Sequence, residues 1–520
     1  LSPEATISLE AVIEVSYQAL PSPNQAALRA LALLPPKPNS ITHAAALAVI
    51  GSNEDADNSA TGTQYTVRTL INSGLVEAAE TDRYTLHQTV ADYARLSPPA
   101  SDAVERMVAF FVDSLAATPD DHDWHDWMAQ EQTNIVAALY LAAEQELNAR
   151  CIQGVEAFHP FAENRGLYTL IDPLLALAVD RAQAQSDTAA AIRLLFKRST
   201  IAIQQGDIAA GEQFVQVATM LARDLAQPTF VIPQLMHLGV FSIRRGNYTQ
   251  AELYFQQGLA LAETAEDPDK TAALLTNLGA LHFEQGNFVK SKPYLRQSFE
   301  LALAHGYRER ACGALVNLIR LCIEQSEYAE AANYLGEGLQ LAHATEHRLL
   351  LCILLRNQGI LAMRQGQFAG AADSLRESLA LARTLANPLE ITEILCEISE
   401  VAIAQKNLVA AEEALQEALS LAQQNENQKE LCGVHLRWGQ LHQLQGYPEA
   451  RTAYQTTLTI ARRVGMRLEE AQALFGLALL AKQAGDFAPA TELGQESLRL
   501  FDEIGHHLAA TVRHWLAEDS

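Results

Sequence analysis

The chain has 520 residues, 49% of them hydrophobic, 19% charged and 7% aromatic, and its 37 Lys and Arg against 62 Asp and Glu leave a formal charge of −25. So acidic a chain excludes nucleic-acid or anionic-membrane binding as its main business, because both need clustered positive charge. At about 100–200 residues per domain the length implies two to four domains or one extended array. Its 18 Pro and 27 Gly are too few for a disordered or fibrous chain. No apolar run approaches the roughly 18 residues of a membrane span. Six cysteines without an even framework of short spacings point to free thiols in a reducing compartment, and so to the cytoplasm. The chain opens at Leu1 with no basic-then-apolar leader, and it is expected to be the carboxy-terminal piece of a longer polypeptide.

Residues 1–98 read as helices near Leu9–Leu20, Asn24–Leu34, Thr42–Ile50 and Gln64–Ser73. A two-stranded wing follows, Leu75–Ala79 and Tyr84–His87 about a Glu-Thr-Asp turn at 80–82, and then a helix at Gln88–Leu96. Ser-Pro-Pro-Ala at 97–100 breaks the chain. This is the pattern of a winged-helix domain. The words Ser16-Tyr17, Leu20-Pro21, Leu70-Ile71-Asn72-Ser73-Gly74-Leu75-Val76, Tyr84-Thr85-Leu86-His87 and Tyr93-Ala94 carry a further likeness. They resemble the winged helix that closes the nucleotide-binding module of STAND signal-transduction ATPases of the NB-ARC branch. In that family a Met-His-Asp triplet ends the wing, and its histidine reaches the β-phosphate of bound ADP. Here the triplet is Leu86-His87-Gln88, so the resemblance implies that His87 senses nucleotide, while the acid that orients the motif is missing. The other reading of a histidine at a strand end is a structural or surface residue. A winged helix can also enter DNA through its third helix, but Arg68 is the only basic residue on Gln64–Ser73. Residues 1–98 hold only Arg29, Lys37, Arg68, Arg83 and Arg95 as cations, so direct DNA reading is not expected.

Residues 99–150 form a helical linker in which Trp124, Trp127, Glu131, Asn134 and Ala138-Leu139 resemble the segment preceding repeats in bacterial members of that family. The run Asp120-Asp121-His122-Asp123-Trp124-His125-Asp126 invites a divalent-metal reading, set against an Asp-capped helix start after Pro119. The capped start is the preferred expectation, and no metal site is assigned.

From about residue 151 to 520 the chain carries a 40-residue ruler. Gly166-Leu167-Tyr168, Gly206-Asp207-Ile208, Gly246-Asn247-Tyr248, Gly286-Asn287-Phe288, Ser326-Glu327-Tyr328, Gly366-Gln367-Phe368, Lys406-Asn407-Leu408 and Gly446-Tyr447 keep that spacing, and Gly485-Asp486-Phe487 follows at 39. Apolar residues recur at i, i+3, i+4 and i+7 on both flanks, which is the helix period. Three residues past the aromatic position sits a small residue (Ala251, Ser291, Ala331, Ala371, and Ala411 after Leu408), and Leu238-Gly239, Leu278-Gly279 and Trp438-Gly439 precede three of the turns. Each unit therefore reads as two antiparallel helices, with the aromatic after the glycine plugging the gap between them. The pattern resembles the tetratricopeptide repeat in an enlarged form, about nine units long. The fold expected is mostly all-α: a winged-helix domain with a small β-hairpin, then a right-handed α-solenoid of tetratricopeptide-like helical hairpins with a concave inner surface.

Catalytic motifs are missing: no GxxxxGK[ST], GxSxG, HExxH or paired CxxC occurs, so the chain by itself is not expected to be an enzyme. Cys312, Cys352 and Cys432 share one register position, where a small, tolerably apolar residue fits the inner face. Function is expected to rest on the groove. One groove position reads His237, Asn277, Asn317, Asn357, and an asparagine there can hold a peptide backbone. Neighbouring positions supply Phe283, Arg320, Arg356 and Arg364, whose guanidinium groups suit a carboxylate-bearing partner or pair with Glu324, Glu393 and Glu397. The expectation is the ligand-sensing, autoinhibitory half of a bacterial STAND switch. It would bind a protein or peptide trigger and close over ADP of an NB-ARC module in the same polypeptide, with ADP or ATP and Mg only in the full-length protein. The alternative is a free-standing scaffold joining partner proteins without a nucleotide role.

Overall fold

A computed structural model describes residues 9–51, 59–79, 82–117, 122–223, 228–425 and 427–517. It divides into two compact units, Leu1–Ala162 with Thr169–Leu194, and Glu163–Tyr168 with Leu195–Ser520.

The first unit starts with helices Leu9–Gln18, Ser22–Leu31, His43–Ile50, Ser59–Asn72 and Gln88–Arg95. Their apolar faces, with the segments between them, supply a core that includes Leu28, Leu31, Leu34, Ile41, Leu70 and Leu86. The sheet has three strands where the sequence suggested two: β1 (Ile41–Thr42), β2 (Glu77–Ala78) and β3 (Arg83–Thr85), antiparallel in the order β1-β3-β2. The extra strand is two residues long, and Thr42 both ends it and caps the next helix by accepting from the Ala45 N–H at 3.2 Å. A hydrophobic pattern assigns such a residue to the helix. Glu80 and Thr81 of the expected turn lie outside the described residues, as do Asp120, Asp121 and the side chains of His122 and Asp123.

A buried polar network joins the sheet to helix His122–Glu144. Fully buried Glu131 is ion-paired with Arg83 at 2.7 Å and accepts from Asn134 at 2.6 Å. Asn134 also donates to the Ser40 carbonyl at 2.9 Å and accepts from Asn39 at 2.6 Å. Four of the five cations in residues 1–98 are engaged internally. Besides Arg83, Arg29 donates to the Tyr17 hydroxyl, Lys37 pairs with Glu77, and Arg95 donates to the carbonyls of Ala32 and Leu34.

From Asn148 to Ile504 the described residues hold nine consecutive helix pairs, followed by Leu508–Ala517. Most of these helices are 17 residues long and three residues separate them, so the period of the chain is 20, half of the ruler seen in the sequence. One left-handed residue recurs at that spacing: Glu146, Gly166, Ser186, Gly206, then Gly246, Glu266, Gly286, Gly306, Ser326, Glu346, Gly366, Ala386 and Lys406. At Gly246 the N–H groups of Gly246 and Asn247 close back onto the carbonyls of Ile243 and Ser242, at 2.8 Å each, a Schellman stop. Asn247 then accepts from the Gln250 N–H and starts the next helix. Asp207, Asp267, Asn287 and Asn407 do the same in their turns.

Within each pair, small residues set the approach. A Cβ on Gly279 would lie 2.5 Å from Leu295, one on Gly239 2.2 Å from Phe255, and one on Gly439 2.6 Å from Tyr454. Further along, Ser298 donates to the Ala272 carbonyl, Ser378 to that of Cys352 and Ser497 to that of Ala471. The shared cysteine position belongs to the same rung: Cys312, Cys352 and Cys432 are buried and donate to the carbonyls of Gly338, Ser378 and Thr457.

The second unit winds far enough for early turns to meet late ones. Asn164 donates to Glu309, Arg165 pairs with Glu346, and Gly246 and Gly286 pack on Val464 and Ile504. Buried Glu324 accepts from His506 at 3.1 Å. The aromatic plugs follow from this. Tyr248 and Phe288 are buried, whereas Phe487 is 62% exposed, in a turn where nothing lies within 4 Å of a Cβ at Gly485.

A Cβ added at Gly366 meets no atom within 4 Å, so its φ of +77° isolates backbone strain from packing. Gly366→Ala is expected to cost about 1–2 kcal/mol, and Ala386→Gly, at φ +49°, to stabilise by a similar amount. Urea melts of the two variants check this; equal midpoints would show that the turn conformation does not set stability.

Candidate functional site

The inner surface of the second unit is built from the first helix of successive pairs. A cavity of about 440 Å³ is lined from six of them in order, starting with Phe283 and Glu284 and ending with Leu468, Glu469 and Gln472. No second helix of a pair contributes, since second helices face outward. The 40-residue spacing stacks equivalent positions: Asn317 lies one unit before Asn357, then Glu397 and Arg437.

Of the seven groove residues expected from the sequence, Phe283, Asn317, Arg320, Arg356 and Arg364 line this cavity, and Asn277 and Asn357 do not. Asn357 is fully buried and donates to the Val316 carbonyl at 3.0 Å, binding its helix to the preceding first helix. Asn317 donates to the Gly313 carbonyl of its own helix at 3.1 Å. His237 is held likewise, with Nδ1 2.8 Å from the Pro233 carbonyl oxygen. The asparagine position thus serves helix backbone wherever its contacts are seen.

The expected positive strip is neutralised. Arg356 is 6% exposed; it pairs with Glu393 and lies 3.6 Å from Glu390. Arg364 pairs with Glu400 at 2.8 Å, and Arg437 reaches the same carboxylate at 2.7 Å. Arg320 lies over the Phe283 ring, 4.0 Å from Glu324. Lys429 bridges Glu284 at 2.8 Å and Glu393 at 3.2 Å. Every lining cation is therefore engaged, and a carboxylate-bearing partner finds no free arginine.

Acids outnumber cations on the wall, seven glutamates to five Arg and Lys. Glu390, Glu430 and Glu469 occupy one register position in three successive units, at intervals of 40 and 39. That regularity is visible in the sequence as Glu at one register position of three successive units. Burial pushes the Glu430 carboxyl up to about 7, reinforced by the charge of Glu390 and opposed by Arg244 and Lys429. Burial does the same to Glu469, with Glu284 adding repulsion, also to about 7. Glu324 goes the other way. Burial alone would raise it, but the His506 hydrogen bond with Arg320 and Arg364 holds it at about 2.

His87 lies in the first unit and is exposed. It caps helix Gln88–Arg95: its Nδ1 accepts from the Thr89 N–H at 3.3 Å and lies 2.6 Å from the Thr89 hydroxyl. Burial pushes the thiol of Cys312 up to about 12 and that of Cys352 to about 11, which leaves both protonated at neutral pH. No helix among the described residues is long and apolar enough to cross a membrane.

A tetratricopeptide-repeat family model matches residues 232–304 and 430–503, and the chain carries these repeats. No curated protein matches it in sequence. Among solved structures, the fold is similar to that of a Rap protein complexed with Competence and Sporulation Factor. The identity is 11% and the TM-score 0.55, over 70% of this chain and 99% of that one. It is also similar to a signal-transduction ATPase with numerous domains (STAND) bearing a tetratricopeptide repeat sensor, from Pyrococcus horikoshii. There the identity is 16% and the TM-score 0.51, over 92% of this chain and 67% of that one.

Glu430 and Glu469, held near 7 against an ordinary 4.5, bind protons more tightly folded than unfolded, so they favour folding below about pH 4.5 and lose that contribution as pH rises through 7. Glu324, held near 2, acts oppositely and favours folding until pH falls from about 4.5 towards 2. Glu430→Gln is expected to raise the melting temperature clearly at pH 8 and much less at pH 5. Calorimetric scans at the two pH values check this, and an equal shift at both would contradict the burial of an ionising carboxylate.

Proposed function

We propose that the chain is the ligand-sensing part of a STAND-type switch, with the repeat groove binding a protein or peptide trigger. The observation that carries this reading is the cavity itself, lined by six consecutive first helices and holding buried polar atoms without partners. Buried polar groups are ordinarily paired, and a surface that leaves several unpaired suits a polar occupant. The fold likeness to a STAND protein with a repeat sensor, over 92% of this chain, supports the same reading.

In this scheme residues 1–98 form an NB-ARC-type winged helix, 99–150 a helical joint and 151–520 the sensor. The β1-β3-β2 sheet order and the run of helices around it support the winged helix. A nucleotide-binding module in the same polypeptide holds ADP, and His87 closes on its phosphate. The trigger shifts the switch only by binding the open form more tightly than the closed one. Autoinhibition is then a difference in groove geometry between two states. This chain performs no catalysis; ADP or ATP with Mg belongs to the module it regulates, and the assembly works in the cytoplasm.

The test uses the full-length polypeptide. His87→Asn keeps a strong helix cap while removing the imidazole. It is expected to speed ADP release and raise basal output, with the melting temperature of the winged-helix region unchanged. ADP retained as in the wild type would limit His87 to capping. A full-length chain without any GxxxxGK[ST] loop would leave the scaffold reading in its place.

A further inference from the structure

We infer that the acidic wall of the cavity is a subsite for a cationic group, an ammonium or guanidinium carried by the ligand, with Glu397, Glu430 and Glu469 as its acceptors. This rests on the groove being a ligand site, and it states what the ligand brings. Glu430 is 5% exposed and Glu397 8%, and both line the cavity. The Oε2 atom of each is buried without a hydrogen-bond partner. Glu430 has committed its other oxygen to Asn427 at 2.9 Å, and the nearest cation, Arg244, is 4.0 Å from that same oxygen.

The five lining cations are already committed: Arg320 to Glu324, Arg356 to Glu390 and Glu393, Lys429 to Glu284 and Glu393, and Arg364 and Arg437 to Glu400. Glu397, Glu430 and Glu469 make no ion pair with any of these five, which act on them only at longer range. Burial disfavours the charged form of a carboxylate, and it pushes Glu430 and Glu469 up to about 7 despite the opposing charges of Arg244, Lys429 and Arg437. An incoming cationic donor removes that penalty, whereas an anion would add to it.

The buried Nε atoms of four lining arginines, Arg320, Arg356, Arg364 and Arg437, have no hydrogen-bond partner and add neutral acceptors to what the wall can take. Arg356 Nε is buried and without an acceptor, although its terminal nitrogens face Glu390 and Glu393. It can receive a neutral carbonyl oxygen without upsetting the charge balance. A cation and a carbonyl on one molecule describe a peptide with a basic side chain or a free amino terminus.

The probes are three fluorescein-labelled, amidated hexapeptide pools whose third position is fixed as Arg, Gln or Glu, together with free spermidine. Binding is read by anisotropy, with spermidine as competitor and by calorimetry. The Arg pool is expected to bind at least tenfold more tightly than the Gln pool, and the Glu pool more weakly than both. Glu430→Gln with Glu469→Gln is expected to remove the Arg preference while leaving the helical circular dichroism intact. Equal binding of all three pools would overturn the cation subsite and leave the peptide reading standing. Spermidine binding that the double variant abolishes, with no pool bound, would keep the subsite and overturn the peptide reading. Absence of any binding would overturn both. A preference for Arg that persists in the double variant would place the recognition elsewhere and overturn this assignment.

Discussion

Everything in the second unit depends on a three-residue turn that ends one helix and begins the next. The helix stops when a residue enters the left-handed region and its N–H groups fold back onto the last turn; the following Asn or Asp caps the next helix. Because nothing is left over between the two caps, helix length and turn length together fix a 20-residue advance. Constant advance makes every first helix present the same face inward. A groove then follows without being specified anywhere as a groove. Where the left-handed residue is Glu346 or Ala386 in place of glycine, the conformation persists at some cost, so neighbouring packing must impose it.

Periodic construction also explains why the site is ionic. Side chains one unit apart lie on adjacent first helices, so a cation at one position reaches an acid 36 or 37 residues on. Arg356 to Glu393, Arg364 to Glu400 and Lys429 back to Glu393 all span that interval. Such pairs lose hydration, and their mutual attraction only partly offsets that loss. They fix the spacing of adjacent helices more than they add stability. Glutamates beyond the number needed for pairing are not explained by that structural role.

Part of this was legible in the residues. The repeat, its turns and the close approach at Leu-Gly pairs follow from spacing and residue size alone, and Gly239 and Gly279 lie against the large side chains the pattern anticipates. The third strand was not legible, since two residues carry no alternation and Thr42 also signals a helix start. The arginines were located in the groove, and of the two roles open to them the structure shows pairing, with Glu324 and Glu393 as anticipated and with Glu400 in place of Glu397. The partners of Arg356 and Arg364 belong to the next first helix, and the register offset that joins them appears only when helices are packed. Asn357 shows the same limit: an inward position by count, it turns sideways to serve the Val316 carbonyl because a buried amide needs a partner.

The repeat units are alike in sequence but not in environment. Turns at Gly246 and Gly286 are covered by Val464 and Ile504, while those at Gly366, Gly446 and Gly485 meet nothing within 4 Å. The covering comes from the winding of the array, since the units themselves differ little at these positions. Its last contact is the buried pair of Glu324 with His506, beside Phe288 and Phe501. That contact places the end of the array against its own middle, and Glu324 is also a wall residue of the cavity. A change in the spacing of first helices around a ligand therefore reaches the Glu324–His506 contact directly. The groove and the winding of the array are one mechanical system, joined at Glu324 and again where Lys429 bridges to Glu284.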